Sequence, residues 1–156
     1  AIRLRGHVCR VRAGGDPHSS GGSGHDILDG GDGNDTYLFG RGDDSTLIKN
    51  HSYDTGYDVV EVSDGISINE LFFERDWYDL TITAMDGGEI LEVDSWFVSD
   101  SYKVDAINVG GYELNAEVIQ MLVQAHSALG SSASASDRSS LAAQNENNLN
   151  TWMAVG

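Results

Sequence analysis

A phrase of the form Gly-Gly-x-Gly-x-Asp occurs twice in this chain at an offset of nine residues. The first copy is GGSGHDILD at 21–29 and the second is GGDGNDTYL at 30–38, followed by a less regular copy, FGRGDDSTL, at 39–47. Nine residues fit neither the helical period of 3.6 nor the strand period of two. The spacing predicts that each copy forms one turn and one short strand, so that two copies complete one coil.

The glycines of each copy allow a turn whose backbone bends through conformations that a side chain would forbid. Such a turn presents backbone carbonyl groups and one carboxylate, which are hard oxygen ligands that suit Ca²⁺ better than Zn²⁺ or copper. We therefore predict a calcium site made by the turns of the repeat. Its candidate ligands are Gly21, Gly22, Gly24 and Asp26 in the first copy, Gly30, Gly31, Asp32, Gly33 and Asp35 in the second, and Gly40, Gly42, Asp43 and Asp44 in the third.

A single turn cannot supply the six to eight oxygens that Ca²⁺ takes, so the turns must act in pairs. Turns two copies apart stack on the same side of the coil, which predicts that Asp26 shares an ion with Asp44 or with its neighbour Asp43. The middle turn lacks a good partner, because Tyr53 stands at the aspartate position above it and Asp54 is one step out of register. We expect one firm calcium ion, leave open a second completed by Asp54 or water, and expect no more than about three.

The charge and cysteine content favour a metal-stabilised fold. The formal net charge is −16, which argues against nucleic acid or an anionic membrane surface as the partner and favours cations. The single cysteine, Cys9, cannot form an internal disulfide, so a bound metal is the expected substitute. The sequence contains no apolar run long enough for a membrane span or for a cleaved N-terminal signal peptide.

The segments around the repeat predict a mainly β chain. Residues 1–20 read as a loose leader, with a docked strand as the alternative. After the repeat, alternating or apolar runs predict strands, and Asp86-Gly87-Gly88 predicts a hairpin over 79–94. Residues 115–129 predict one amphipathic helix with Asn115 as its N-cap, and 130–156 read as a polar, flexible tail. The predicted strands are 57–62, 70–75, 79–85, 89–97 and 103–109.

The repeat resembles the GGxGxDxUx nonapeptide of RTX (repeats-in-toxin) haemolysin-type calcium-binding proteins. The resemblance extends through NDTYLFGRGD and DGISINELFFERDWYDLTI to Ser95-Trp96-Phe97, and so covers roughly 21–129. It implies a short parallel β-roll at 21–56 that binds Ca²⁺, a β-rich cap with one C-terminal helix at 57–129, and a type I secretion signal in 130–156. In the family the third turn usually continues with Gly and a later Asp, whereas Asp44 and Thr46 stand here, which leaves ligation by this turn open.

The resemblance implies a module that folds on extracellular Ca²⁺ and supports the type I secretion of a larger protein. An adhesive or polysaccharide-binding module is the alternative, with Trp77, Tyr78 and Trp96 as a candidate sugar platform, and a remnant of a secreted hydrolase is a weaker one. An EF-hand is excluded, because Gly31 and Gly33 fall where that loop requires acidic residues. The chain contains no HExxH motif and no nucleophile elbow, so catalytic residues are not expected.

Overall fold

Two β-sheets of six strands each and three α-helices make up the part of the chain that the computed structural model describes. That part comprises residues 2–3, 9–12, 18–20, 25–29, 34–50, 57–63, 65–127 and 134–153. None of its helices is long and apolar enough to span a membrane.

The strands divide between the sheets as follows. The first sheet contains, in spatial order, β1 (Ile2–Arg3), β3 (His18–Ser20), β5 (Thr36–Phe39), β7 (Val59–Val62), β11 (Ala106–Val109) and β12 (Tyr112–Leu114). The second sheet contains β2 (Cys9–Arg12), β4 (His25–Asp29), β6 (Ser45–Ile48), β10 (Ile90–Val93), β9 (Asp79–Ala84) and β8 (Leu71–Asp76). The helices are α1 (Ala116–Ser127), α2 (Ala135–Ala142) and α3 (Asn145–Met153).

Strands β1 to β7 alternate between the two sheets, so each one lies beside the strand two places along the chain. The pairs β2–β4, β4–β6, β3–β5 and β5–β7 are all parallel. In β4–β6 the register places His25 opposite Ser45, and in β5–β7 it places Thr36 opposite Val59. Strands that are two copies apart in the sequence are therefore neighbours.

Residues 1–20 contain the three strands β1 to β3, which agrees with the docked-strand alternative to a loose leader. β1 and β2 pair in parallel with β3 and β4, and β3 pairs with β5. A strand added to an open sheet edge satisfies the backbone N–H and C=O groups there, and this gain depends on the partner strand rather than on local composition.

Both sheets continue from the repeat into the predicted cap without a break. β11 extends the first sheet parallel to β7, and β10 extends the second sheet parallel to β6. The predicted hairpin is confirmed: β9 and β10 are antiparallel, and Gly88 at their turn has φ +81°. A second hairpin joins β8 and β9. Both sheets therefore contain strands from each side of the expected boundary at residue 57.

Inward-facing side chains of both sheets form the core, and burial alternates along β4 to β7, β9 and β10. Leu28 and Ile48 from the second sheet and Tyr37 and Val60 from the first are at most 1% exposed. The predicted C-terminal helix is present as α1, which packs against β8. Its buried face comprises Ile119, Leu122, Val123 and His126.

The polar segment after residue 130 contains two further helices, α2 and α3, where a flexible tail was expected. Ser134 caps α2 in a reciprocal capping box with Asp137. Ala142 and Leu149 are fully buried. The expectation that this segment buries little is therefore wrong for 134–153.

Candidate metal centre

Six of the thirteen predicted ligand residues belong to the described part of the chain: Asp26, Asp35, Gly40, Gly42, Asp43 and Asp44. The other seven, Gly21, Gly22, Gly24, Gly30, Gly31, Asp32 and Gly33, lie outside the described residues. The site must therefore be judged on its carboxylates and on the third turn.

Asp26, on β4, is the strongest indication of a cation site. Its side chain is only 2% exposed, and neither carboxylate oxygen has a hydrogen-bond partner. The residue opposite it on β6 is Thr46, whose hydroxyl is also buried without a partner. Burial raises the pKa of the Asp26 carboxyl, the charge of Asp44 raises it further, and His25 opposes the shift.

A buried carboxylate without hydrogen bonds is costly, and proteins compensate such a charge with a counter-ion or a metal. The oxygens of Asp26, Asp44 and Thr46 are all of the hard type that Ca²⁺ prefers. No three His, Cys, Asp or Glu side chains gather into a metal-binding group within the described ranges. The residues present thus fit a calcium ion whose further ligands would be backbone carbonyls, waters or turn residues.

The register of β4 and β6 differs from the nine-residue count. That count places Asp26 level with Asp44, whereas the structure places Asp26 opposite Thr46 and His25 opposite Ser45. Asp44 instead precedes the first residue of β6 and has φ 55°. It nevertheless lies close enough to Asp26 for its charge to affect the Asp26 pKa. Of the two predicted partners, Asp44 is therefore better placed.

Asp43, the other predicted partner, closes its own turn. Its Oδ2 accepts a hydrogen bond of 2.7 Å from the Gly40 amide, and its amide donates to the Gly40 carbonyl at 3.2 Å. Gly42 has φ +84°, a conformation that favours glycine. A side chain at Gly40 would collide with Ser63. The third turn is thus fixed by its own hydrogen bonds and by close packing.

Asp35, at the middle turn, lies level with a residue that the sequence analysis missed. Its amide donates to Asp58 Oδ1 at 2.9 Å, and Asp58 precedes β7 as Asp35 precedes β5. Asn50 donates to the other Asp58 oxygen at 3.1 Å and accepts from Tyr37 at 2.7 Å. The recurrence of Asp before a strand, in DTYLF and DVVEV, was the available signal. Asp54, the predicted partner, lies outside the described residues.

The comparison with known families agrees with this geometry. Residues 18–45 match the family model of the RTX calcium-binding nonapeptide repeat, and that family model describes four copies of the repeat. The match covers the first two copies and most of the third. It includes Asp26, Asp35 and Asp44, and repeats of this type bind calcium.

Proposed function

We propose that this chain, whose residues 18–45 are RTX calcium-binding nonapeptide repeats, is a module that folds when it binds extracellular Ca²⁺ and supports the type I secretion of a larger protein. The observation that carries the proposal is the buried Asp26 carboxylate, which has no hydrogen-bond partner and lies near Asp44. Asp26 and Asp44 would hold the ion, with Thr46 alongside. The proposal assigns no catalytic role.

The energetics favour folding outside the cell. Without a cation, the ionised Asp26 is buried close to a second carboxylate, which disfavours the folded state. An ion that binds only the folded chain adds about 2.7 kcal/mol at a hundredfold excess over its dissociation constant. That is a substantial share of a small domain's stability. Low cytosolic calcium would leave the chain unfolded for export, and higher calcium outside would fold it.

The C-terminal segment is proposed to carry the export signal. Deleting 130–156 is not a clean test, because Asn145 and Leu149 are buried and their loss would disturb the fold as well. Substituting only exposed residues of this segment, such as Ser140 and Asn147, leaves the buried contacts in place. A secretion assay of such variants therefore tests the export signal separately from the fold.

Calcium titration of an Asp26→Asn variant tests the proposed site. Removing the charge from Asp26 should weaken the firm site by at least about tenfold, which corresponds to about 1.4 kcal/mol. The matched control is Asp100→Asn, which makes the same chemical change at a side chain that is 98% exposed. Isothermal titration calorimetry of both variants gives the affinities. An Asp26→Asn variant that titrates like the Asp100→Asn control would overturn the assignment.

A polysaccharide-binding role is a second candidate, supported by two exposed aromatic residues. Trp77 and Tyr78 are 83% and 59% exposed at the turn between β8 and β9. Trp77 has φ 57°, an unfavourable value for a bulky residue, and Arg75 donates to its carbonyl at 2.7 Å. Trp96, the third predicted platform residue, is only 1% exposed and belongs to the core. Alginate affinity that is lost in Trp77→Ala with calcium binding intact would favour this role.

A further inference from the structure

Arg41, in the third repeat turn, connects that turn to three separate segments of the cap. Its Nε donates to the Gly65 carbonyl at 3.1 Å, and its Nη1 donates to Glu89 at 2.9 Å. Its Nη2 pairs with Glu70, at the end of a short 3₁₀ helix that leads into β8. All three guanidinium nitrogens are therefore used in holding the turn against the cap.

The space around this guanidinium is shaped to receive it. A side chain at Gly87 would clash with both Arg41 and Glu89, and one at Gly65 would press on the Arg41 stem. Glu89 is buried, and the Arg41 side chain is 35% exposed. The arrangement is therefore built into the packing of the cap and is more than a surface ion pair.

Glu89 and Ile90 also hold the turn on both sides of Asp43. Glu89 Oε2 accepts a hydrogen bond of 3.0 Å from the Gly42 amide. The Ile90 amide donates to the Asp44 carbonyl at 2.7 Å. The beginning of β10, which is not part of the repeat, thus fixes the backbone of Gly42 and Asp44 at two points.

We propose that Glu89 is a positioning residue for the calcium site, acting with Arg41 to hold Asp44 beside Asp26. This inference rests on the proposed calcium-binding function. Glu89 does not bind the ion; it sets the path of the turn that carries Asp44. The third copy has Phe39 in place of the first glycine of the repeat, and contacts from the cap set the path of its turn. Because Glu89 lies between β9 and β10, calcium binding is coupled to the folding of that hairpin.

The test must separate positioning from a general loss of stability. Glu89→Ala removes both contacts to the turn, and Glu89→Gln keeps an oxygen that can accept from the Gly42 amide. The control is Val123→Ala, which removes a buried apolar group from α1, away from the turn. Urea unfolding at saturating calcium measures the stability of each variant, and calorimetry measures its calcium affinity. If Val123→Ala and Glu89→Ala differ in stability, Leu122→Ala gives a second α1 control. The two controls together show how calcium affinity varies with stability alone.

At equal stability, Glu89→Ala should bind calcium on the order of tenfold more weakly than the α1 control, and Glu89→Gln should recover part of that loss. A Glu89→Ala variant with the affinity of the control would overturn the positioning role, even if Asp26→Asn still weakens binding. A wild-type chain that binds no calcium would instead overturn the proposed function itself. The two failures are thus distinguishable.

Discussion

At the scale of single residues, His126 shows how completely a buried polar group can be satisfied in this fold. Its Nδ1 accepts from the Phe73 amide at 2.8 Å, and its Nε2 lies 2.8 Å from Asn145 Oδ1. The Asn145 amide nitrogen already donates to two carbonyls, so Asn145 Oδ1 acts as the acceptor and the ring proton is on Nε2. The ring also stacks on Phe72 at 4.7 Å. A second proton on His126 would have to bind Nδ1, where it would face the N–H of Phe73 and displace that hydrogen bond.

This geometry predicts that the folded chain loses stability in acid. Burial is the main cause that lowers the pKa of His126 below its usual 6.5. A lowered folded-state pKa means that the stabilising contribution is present above about 6.5 and is lost as pH falls through the folded-state value. Glu74 and Arg75 on β8 and Arg138 on α2 line the small cavity beside the ring. We expect the free energy of unfolding in saturating calcium to fall as the pH is lowered below about 6.5.

The His126→Gln variant isolates the contribution of the imidazole. Its free energy of unfolding should vary less with pH than that of the wild type, even if its stability is lower throughout. Urea unfolding at a series of pH values measures both slopes. Equal slopes in the two proteins would show that His126 does not titrate as its surroundings imply.

At the scale of elements, polar contacts join the start of α3 to the segment that leads into β8. Asn145 Nδ2 donates to the carbonyls of Ile68 and Leu71 at 2.8 and 2.7 Å. Asn69 and Glu146 hydrogen-bond each other reciprocally at the same junction. The start of α3 is thereby joined to the short 3₁₀ helix that also pairs with Arg41.

Replacing Asn145 with Ala should destabilise the fold by about 2–3 kcal/mol, because it removes two hydrogen bonds to buried backbone carbonyls and leaves the imidazole Nε2–H of His126 without its acceptor. Asn147→Ala makes the same substitution at an exposed position of the same helix and should change stability by less than about 0.5 kcal/mol. Urea unfolding at saturating calcium compares the two. Similar losses in both variants would mean that the Asn145 contacts contribute little.

The elements that the sequence predicted are those with a local signal. Alternation of apolar residues located β7 to β11, and Gly87-Gly88 located the β9–β10 hairpin. For β1 to β3 the sequence supports a strand only as the alternative to a loose leader, because the pairing of these strands depends on distant sheet edges. The α2 helix had a local signal in Ser134 and Asp137, which form a capping box, but its polar composition outweighed that signal.

At the scale of the whole molecule, the repeat and the cap share both sheets. The nine-residue period, which is a property of the local sequence, predicts Asp26, Asp35 and Asp44 as candidate ligands. It could not identify Asp58, which precedes Val59. Val59 pairs with Thr36, and the separation between these two residues is longer than two nine-residue copies. Nor could it identify Glu89, whose contacts to Arg41 and Gly42 join residues far apart in the chain. The residues that the sequence analysis missed, Asp58 and Glu89, are cap residues that contact the repeat.

The most direct test of this account is far-ultraviolet circular dichroism of the wild-type chain in chelator and during titration with Ca²⁺. The account predicts a largely disordered spectrum in chelator and a gain of β-structure with Ca²⁺ in the micromolar to millimolar range. Mg²⁺ should be a poor substitute, because it prefers compact octahedral shells that keep water. A spectrum that is the same with and without calcium would contradict the account.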